Sequence, residues 1–278
     1  MSTIVKAALR CMERIAPLRL AGSWDNVGLI IEAPYPSTSR RILLTIDLTP
    51  AVADEALALN PPPALIISYH PPIFAALKSL TLANPLQANL LRCAVRGTSV
   101  FSPHTSVDSA VGGVNDWLAR AFGADATVQA LRPTDGGAGA EGSTEGLGRL
   151  VTLAKPEPLD VLVEKVKKHL GLQHVQLGRS AAGRAEVGTI ALCAGSGGSV
   201  LGGVPADLLW TGEMQHHEVL ATVASGSHVL LCGHTHTERG YLKVLQERLQ
   251  QELASEQGLG GEVEVLISSA DRHPLDIV

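Results

Sequence analysis

Leu230-Leu231-Cys232-Gly233-His234-Thr235-His236-Thr237-Glu238-Arg239-Gly240-Tyr241 is the stretch on which the reading of this chain turns. The apolar run over 227–232 reads as a buried strand. It stops at Gly233 and delivers His234, His236 and Glu238 into a turn. Leu242, Leu245, Leu249 and Leu253 then fall at helical spacing. Open α/β sheets bind ligands at the C-terminal ends of such strands, and imidazole with carboxylate is a set that Zn, Mn and Fe accept. The plainer reading is a polar strand-to-helix turn, with Glu238 favoured in the first helical turn by the helix dipole. On this stretch alone the two readings weigh equally.

Outward from that stretch the same grammar repeats. Residues 41–47 form a β-rich run. Thr49 then suits an N-cap, Pro50 the first helical position, and 51–59 a helix that Asn60-Pro61-Pro62-Pro63 ends. A second apolar strand, 64–68, ends in Tyr69-His70. Strand, helix and strand make a βαβ unit with a parallel pair. A helix over 84–94 and a strand over 98–102 lead into Pro103-His104-Thr105-Ser106-Val107-Asp108, and a helix over 115–122 follows. Past residue 149 come a strand over 150–153 and a helix over 159–170 that Gly171 caps. A strand over 189–193 ends in Gly195-Ser196-Gly197, and one over 208–211 ends in Gly212-Glu213-Met214-Gln215-His216-His217. A helix over 218–224 leads back to the opening stretch.

The expected fold is therefore α/β, two α/β halves with mixed or parallel sheets and a metal site at their interface. The halves are placed at 1–130 and 149–278. The last helix and strand of the second half are able to pack on the first. The Gly-, Ala- and Ser-rich segment 131–148 reads as a linker or loop between them.

Composition narrows the function. Of 278 residues, 45% are hydrophobic and 18% charged, which is a globular balance rather than a disordered one. With a net charge of −5, 3% aromatics and no basic block, nothing suggests a nucleic-acid groove. No apolar run is long enough for a membrane span. The four cysteines, Cys11, Cys93, Cys193 and Cys232, are scattered without a C-x-x-C. They read as reduced core thiols, so a cytoplasmic location is expected. The basic first turns read as a helix, since Ile4, Ala7, Ala8, Cys11 and Ile15 share one face.

Seven of the ten histidines, His70, His104, His216, His217, His234, His236 and His273, stand next to expected strand or turn ends. One such histidine is ordinarily structural. Several converging with Asp108 and Glu238, away from any cysteine cluster, suit an open site for one or two divalent ions. The Gly195-Ser196-Gly197 turn offers backbone N–H groups to an anion such as a phosphate, or is simply a tight glycine turn. The Asp25-Asn26 pair is expected to bond its own backbone, with Trp24 and Asn26 lining a pocket.

Ser68-Tyr69-His70-Pro71-Pro72-Ile73-Phe74, the 102–108 segment with Gly112-Gly113-Val114-Asn115, Thr211-Gly212-Glu213-Met214-Gln215-His216-His217 and Gly233-His234-Thr235-His236-Thr237-Glu238 together resemble the NIF-three-like family, also called GTP cyclohydrolase I type 2 homologues. Asp25-Asn26-Val27-Gly28-Leu29 and Gly146-Leu147-Gly148-Arg149 agree, and the match runs the length of the chain in order. The resemblance implies metal ligands at His70, Asp108, His234 and Glu238, holding Zn, Fe or Mn. It also implies a homo-oligomer, a hexameric ring. Tyr69 stands where the family's motif has a second histidine, as in eukaryotic members. Phenol, with a pKa of about 10, is a poor ligand at neutral pH.

The function expected from the resemblance is metal-dependent hydrolysis of a small, phosphate-bearing, nucleotide-like substrate. Glu213, His216 or His217 would serve as general base, and His104 or His236 as a proton carrier. The alternative is a non-catalytic partner in transcription regulation with a vestigial metal site, for which a nuclear or mitochondrial location would also serve. A calcineurin-like phosphoesterase is set aside, because Gly233-His234-Thr235-His236 is the only one of that family's motifs present.

Overall fold

The computed structural model of the chain describes residues 1–35, 37–133 and 144–277. In chain order the elements are α1 (Thr3–Ile15), β1 (Gly28–Ile31), β2 (Arg41–Thr45), α2 (Pro50–Ala58), β3 (Leu65–Ser68), α3 (Pro85–Val95), β4 (Ser99–Ser102), α4 (Thr105–Ser109), α5 (Val114–Ala119), β5 (Thr127–Pro133) and β6 (Gly146–Pro158). Then come α6 (Leu159–Leu170), β7 (Gln176–Gly178), β8 (Glu186–Ser196), α7 (Gly198–Leu201), β9 (Leu208–Glu213), α8 (His216–Ala224), β10 (His228–Leu231), α9 (His236–Arg239), α10 (Tyr241–Ser255) and β11 (Glu264–Ile267). The chain forms two compact units: Met1–Val107 with Tyr241–Arg272, and Asp108–Gly240 with His273–Val278.

The first unit holds a five-stranded sheet in the order β1-β4-β3-β2-β11. Strands β4, β3, β2 and β11 are parallel neighbours, and β1 closes one edge antiparallel to β4. β3 reads Leu-Ile-Ile-Ser and is buried along its whole length, as expected of a strand covered on both faces. Thr49 caps α2 as the sequence implies, its hydroxyl accepting from the Val52 N–H, with Pro50 in the first turn. On α10, Leu242, Leu245, Leu249 and Leu253 form the buried face. Each fully buried leucine contributes about 1.5–3 kcal/mol of burial free energy.

The second unit holds a six-stranded sheet in the order β5-β6-β8-β9-β10-β7. Its centre, β8, β9 and β10, is parallel, and both flanks are antiparallel. Arg149 on β6 is 1% exposed. Its guanidinium pairs with Asp116 and donates to the carbonyls of Gly146, Gly148 and Ala110. These bonds satisfy a charge that burial would otherwise make costly.

The two units are bounded differently from the expected halves. The two ends of the expected linker, 131–148, belong to strands of the second sheet: Arg132 pairs with Leu147 and Pro133 with Gly146 across the β5–β6 ladder. The middle of that segment falls outside the described residues. The chain crosses between units at Val107–Asp108, at Gly240–Tyr241 and at Arg272–His273, and the last helix and strand, α10 and β11, lie in the first unit. The reason is physical. A glycine-rich shift marks a connection, but antiparallel neighbours need a connection as much as separate bodies do. The actual crossing sits inside the short helix α4, where composition does not change.

Candidate metal centre

In the first unit, β3 ends at Ser68 and its ladder runs on, with Tyr69 N–H donating to Thr45 O and His70 N–H to Ile46 O. This brings His70 level with Asp47, which follows the neighbouring strand β2. His70 Nδ1 lies 2.9 Å from Asp47 Oδ1. A carboxylate only accepts, so Nδ1 carries the proton and the lone pair is left on Nε2. Tyr69 is 2% exposed, and its ring meets His70 and His104 edge-on.

β4 ends at Ser102 and presents His104, whose backbone adopts φ +33°. For a residue with a Cβ this is a sparsely populated region costing on the order of 1–3 kcal/mol, and such outliers concentrate at functional sites. His104 Nδ1 is 2.8 Å from both carboxylate oxygens of Asp25, a side chain with no exposure. Thr105 also donates to Asp25, through its N–H and its hydroxyl. Burial pushes the Asp25 carboxyl up, but the bonds from His104 and Thr105 outweigh it and hold the group below the usual carboxylate range. The expected bond to the local backbone exists, since Asp25 Oδ1 accepts the Asn26 N–H. The same carboxylate also reaches His104 and Thr105, about 80 residues away, and a local turn reading does not show those bonds.

In the second unit, Gly233 at φ +85° turns the chain out of β10. His234 Nδ1 lies 2.9 Å from Glu213 Oε1, at the end of the neighbouring strand β9. His234 Nε2 lies 3.3 Å from Glu238 Oε1, four residues on in α9. Glu238 is 2% exposed. Gly195, at φ +63°, leaves the room: a Cβ there would stand 2.6 Å from Glu238 Oε1 and 2.9 Å from His234 Nε2. Asp108 and Glu238 both act on buried Cys193, whose thiol is raised first by burial and then by these two charges.

One donor atom from each of His70, His234 and Glu238 lies within 4.8 Å of the other two. Two imidazoles and a carboxylate at this spacing are a candidate metal-ligand triad. Ligands about 2.1 Å from a tetrahedral ion stand roughly 3.4 Å apart, which the His234–Glu238 separation already matches. Asp108 is not a member of that group; its carbonyl accepts from the Asn115 side chain.

The other expected site residues divide. Glu213 lies beside the group, its Oε1 2.9 Å from His234 Nδ1. His216 and His217 begin α8 as exposed residues, their rings 5.4 Å apart. His236 Nδ1 donates to Cys232 O, and its ring lies against His273. Burial first, then the neighbouring His236, Arg239 and His234, keeps His273 below the usual imidazole range. The Gly195-Ser196-Gly197 segment is a tight turn, with Gly195 at φ +63°. Gly195 N–H donates to the Thr237 hydroxyl and Gly197 N–H to Glu213 O. Those two amides are spent inside the protein, and the absent Cβ of Gly195 serves His234 and Glu238 instead.

All four cysteines are buried free thiols. Burial raises Cys232 to about 12, against a smaller opposing effect of the Trp210 indole N–H that donates to it. A thiol raised this far carries its proton at neutral pH. Asp25 and Asp47 are the residues that sequence reading missed. The signal for Asp47 was present: a carboxylate at the end of the strand next to the one ending in His70.

Fold and site together define a mixed α/β protein with two sheets and a candidate metal-ligand triad. Residues 3–274 match the family model Duf34/NIF3 (NGG1p interacting factor 3), and the chain belongs to that family. It is 45% identical over 269 residues to the protein NIF3 homolog of Schizosaccharomyces pombe, covering 96% of this chain and 95% of that one. It is 35% identical to the NGG1-interacting factor 3 of Saccharomyces cerevisiae, covering 97% and 95%. Among solved structures, a Bacillus cereus protein related to NIF3 superposes with a TM-score of 0.84 at 21% identity over 98% of both chains, a likeness of fold. Among the described residues, no helix is long and apolar enough to cross a membrane.

Proposed function

We propose that this protein is a divalent-metal-dependent hydrolase acting on a small, nucleotide-like substrate. The observation that carries the reading is the triad of His70, His234 and Glu238 within mutual reach of one cation. The donor set fits such an ion. His70 and His234 each commit Nδ1 to a carboxylate, as metal-bound histidines characteristically do. Glycine keeps the space beside Glu238 clear. Asp108 is proposed as a fourth ligand. Zn, Fe or Mn would suit these donors.

When bound, a divalent ion supplies a low-pKa water and polarises the group attacked. The chain's own residues do the rest. Asp47 and Glu213 hold the two imidazoles in the ligating tautomer. Asp25 holds His104 with Nδ1 protonated, which leaves its Nε2 to take up or release a proton. His216 and His217 are the proposed general bases of the second unit. A homo-oligomer and a cytoplasmic location complete the proposal.

Elemental analysis of protein purified without added metal should return at least one Zn, Fe or Mn per chain, lost in His234→Ala and reduced in Asp108→Ala. Metal-free wild-type protein that takes up none of these ions would remove the reading. No loss of turnover in His216→Ala or His217→Ala would remove the general-base part. A protein partner is the second reading, favoured by the name of the Saccharomyces cerevisiae relative as an interacting factor.

A further inference from the structure

The first unit carries two large aromatic side chains in solvent at one place. Trp24 is 63% exposed and Phe74 62%, whereas the other two tryptophans, Trp117 and Trp210, are 8% and 0% exposed. The Trp24 and Phe74 rings lie 6.0 Å apart, tilted by 59°, so neither covers the face of the other. His104 stands edge-on to both, at 6.1 Å and 84° from Trp24 and 6.3 Å and 81° from Phe74.

These rings are held. Asp25 N–H donates to Gly22 O at 2.9 Å, and Gly22 N–H donates to the Thr105 hydroxyl at 2.9 Å. The Asn26 side-chain amide donates to Ile73 O, which ties the turn bearing Trp24 to the segment bearing Phe74. The indole lies against Gly22 itself: a Cβ there would stand 2.8 Å from Nε1 and 3.0 Å from Cε2. Gly22 has no special backbone dihedral, so its lack of a side chain serves the ring above it. An exposed aromatic normally costs solvation and turns freely. Two of them fixed at an open angle form a stacking platform.

We propose that Trp24 and Phe74, with His104 at their edge, seat a flat heteroaromatic ring of the nucleobase kind. The ring stacks on one aromatic face and meets the edge of the second. Heteroatoms on its rim face a polar border made by the His104 imidazole and the exposed Asn26 carboxamide. This names the ring-bearing part of the substrate in the function proposed above and rests on that reading for its biological use. Seating the ring requires no metal.

The test uses the full chain and its tryptophan emission, of which Trp24 is the solvent-exposed source. Adenosine and guanosine 5′-monophosphates are the probes, with ribose 5-phosphate as the ringless control. Saturable quenching by a nucleotide and none by the control is expected. By equilibrium dialysis, Trp24→Ala and Phe74→Leu should each weaken nucleotide binding on the order of tenfold. Gly22→Ala should weaken it as well, by displacing the indole while every ring is kept. Equal binding of nucleotide and ribose 5-phosphate overturns the proposal, as does unchanged binding in Trp24→Ala. So does a wild type that binds no nucleotide while Trp24→Ala lowers its oligomeric state in sedimentation, which would make the patch a contact between copies. Metal content measured on the same samples separates the two readings. Metal-loaded protein that seats no ring overturns this proposal alone. Protein that seats the ring but takes up no metal upholds it and overturns the metal centre.

Discussion

The strand ends β2–β3 and β9–β10 use the same device with one difference. In each pair of parallel neighbours, one strand runs out into a carboxylate and the other into a histidine, and the two bond through Nδ1. In the first unit the pairing is in register: Thr45 faces Ser68, and Asp47 and His70 lie two residues further on both strands. In the second unit Thr211 faces Leu231, so Glu213 is level with Gly233 and His234 comes one residue later. Successive strand residues point to opposite faces. A one-residue offset would therefore turn His234 away from Glu213. Gly233, at φ +85°, restores the meeting by bending the chain. The in-register pair is also the less exposed, Asp47 at 36% against 58% for Glu213. A regular ladder can place an imidazole, but an irregular one needs a residue free to take positive φ.

The largest effect should come from breaking the frame of the second region. Arg149→Ala leaves the Asp116 charge and three carbonyls without their donor, and should cost about 3–5 kcal/mol in a urea titration. Asp116→Asn in the same background should add little. An additive double mutant would contradict the pairing.

The comparison itself sharpens with Asp47→Asn and Glu213→Gln. Each should weaken metal affinity roughly 10–100-fold, or about 1.4–2.7 kcal/mol, by competition with a chelator. The buried side of the comparison predicts the larger loss for Asp47→Asn. A larger loss at Glu213 would mean that exposure does not grade these partners.

The smallest effect separates two carboxylates that brace the sheets away from the site. Burial raises both Glu55 and Asp207. Glu55 is nevertheless held low by Ser268, Ser269 and the Ala270 N–H, and Asp207 by the Gly188 and Thr189 N–H groups and the Thr189 hydroxyl. A lowered folded pKa gives stability that is present above the unfolded value, about 4, and lost as pH falls through the folded one. Glu55→Gln and Asp207→Asn should therefore be less stable than wild type near pH 7 and converge with it in acid. A constant gap across that range in urea midpoints would refute the assignment.

Local pattern made much of this legible. The helix over 159–170 was readable residue for residue, because an apolar stripe and Gly171 both report on neighbours a few positions away. β5 and β7 were not readable. β7 is three residues at a sheet edge, and β5 alternates among half-exposed residues, so neither carries a continuous apolar run. Three of the four expected ligands fall in one group: His70 and His234 stand just past strand ends, and Glu238 follows His234 by four residues in the next helix. The sequence left the Gly195 turn open between two readings, because the partners of its amides, Thr237 and Glu213, are 42 and 16 residues away.

The sequence by itself determined the α/β alternation and the histidines at the strand ends, since each is written in spacing within a short window, and its motifs along the chain carried the resemblance to the family. Only the tertiary structure decided where one unit gives way to the next, that Asp25, Asp47 and Glu213 hold the imidazoles, and that Trp24 and Phe74 share an exposed corner. Those facts depend on strand register and on bonds between distant residues, and no local window carries a distance between two points far apart along the chain.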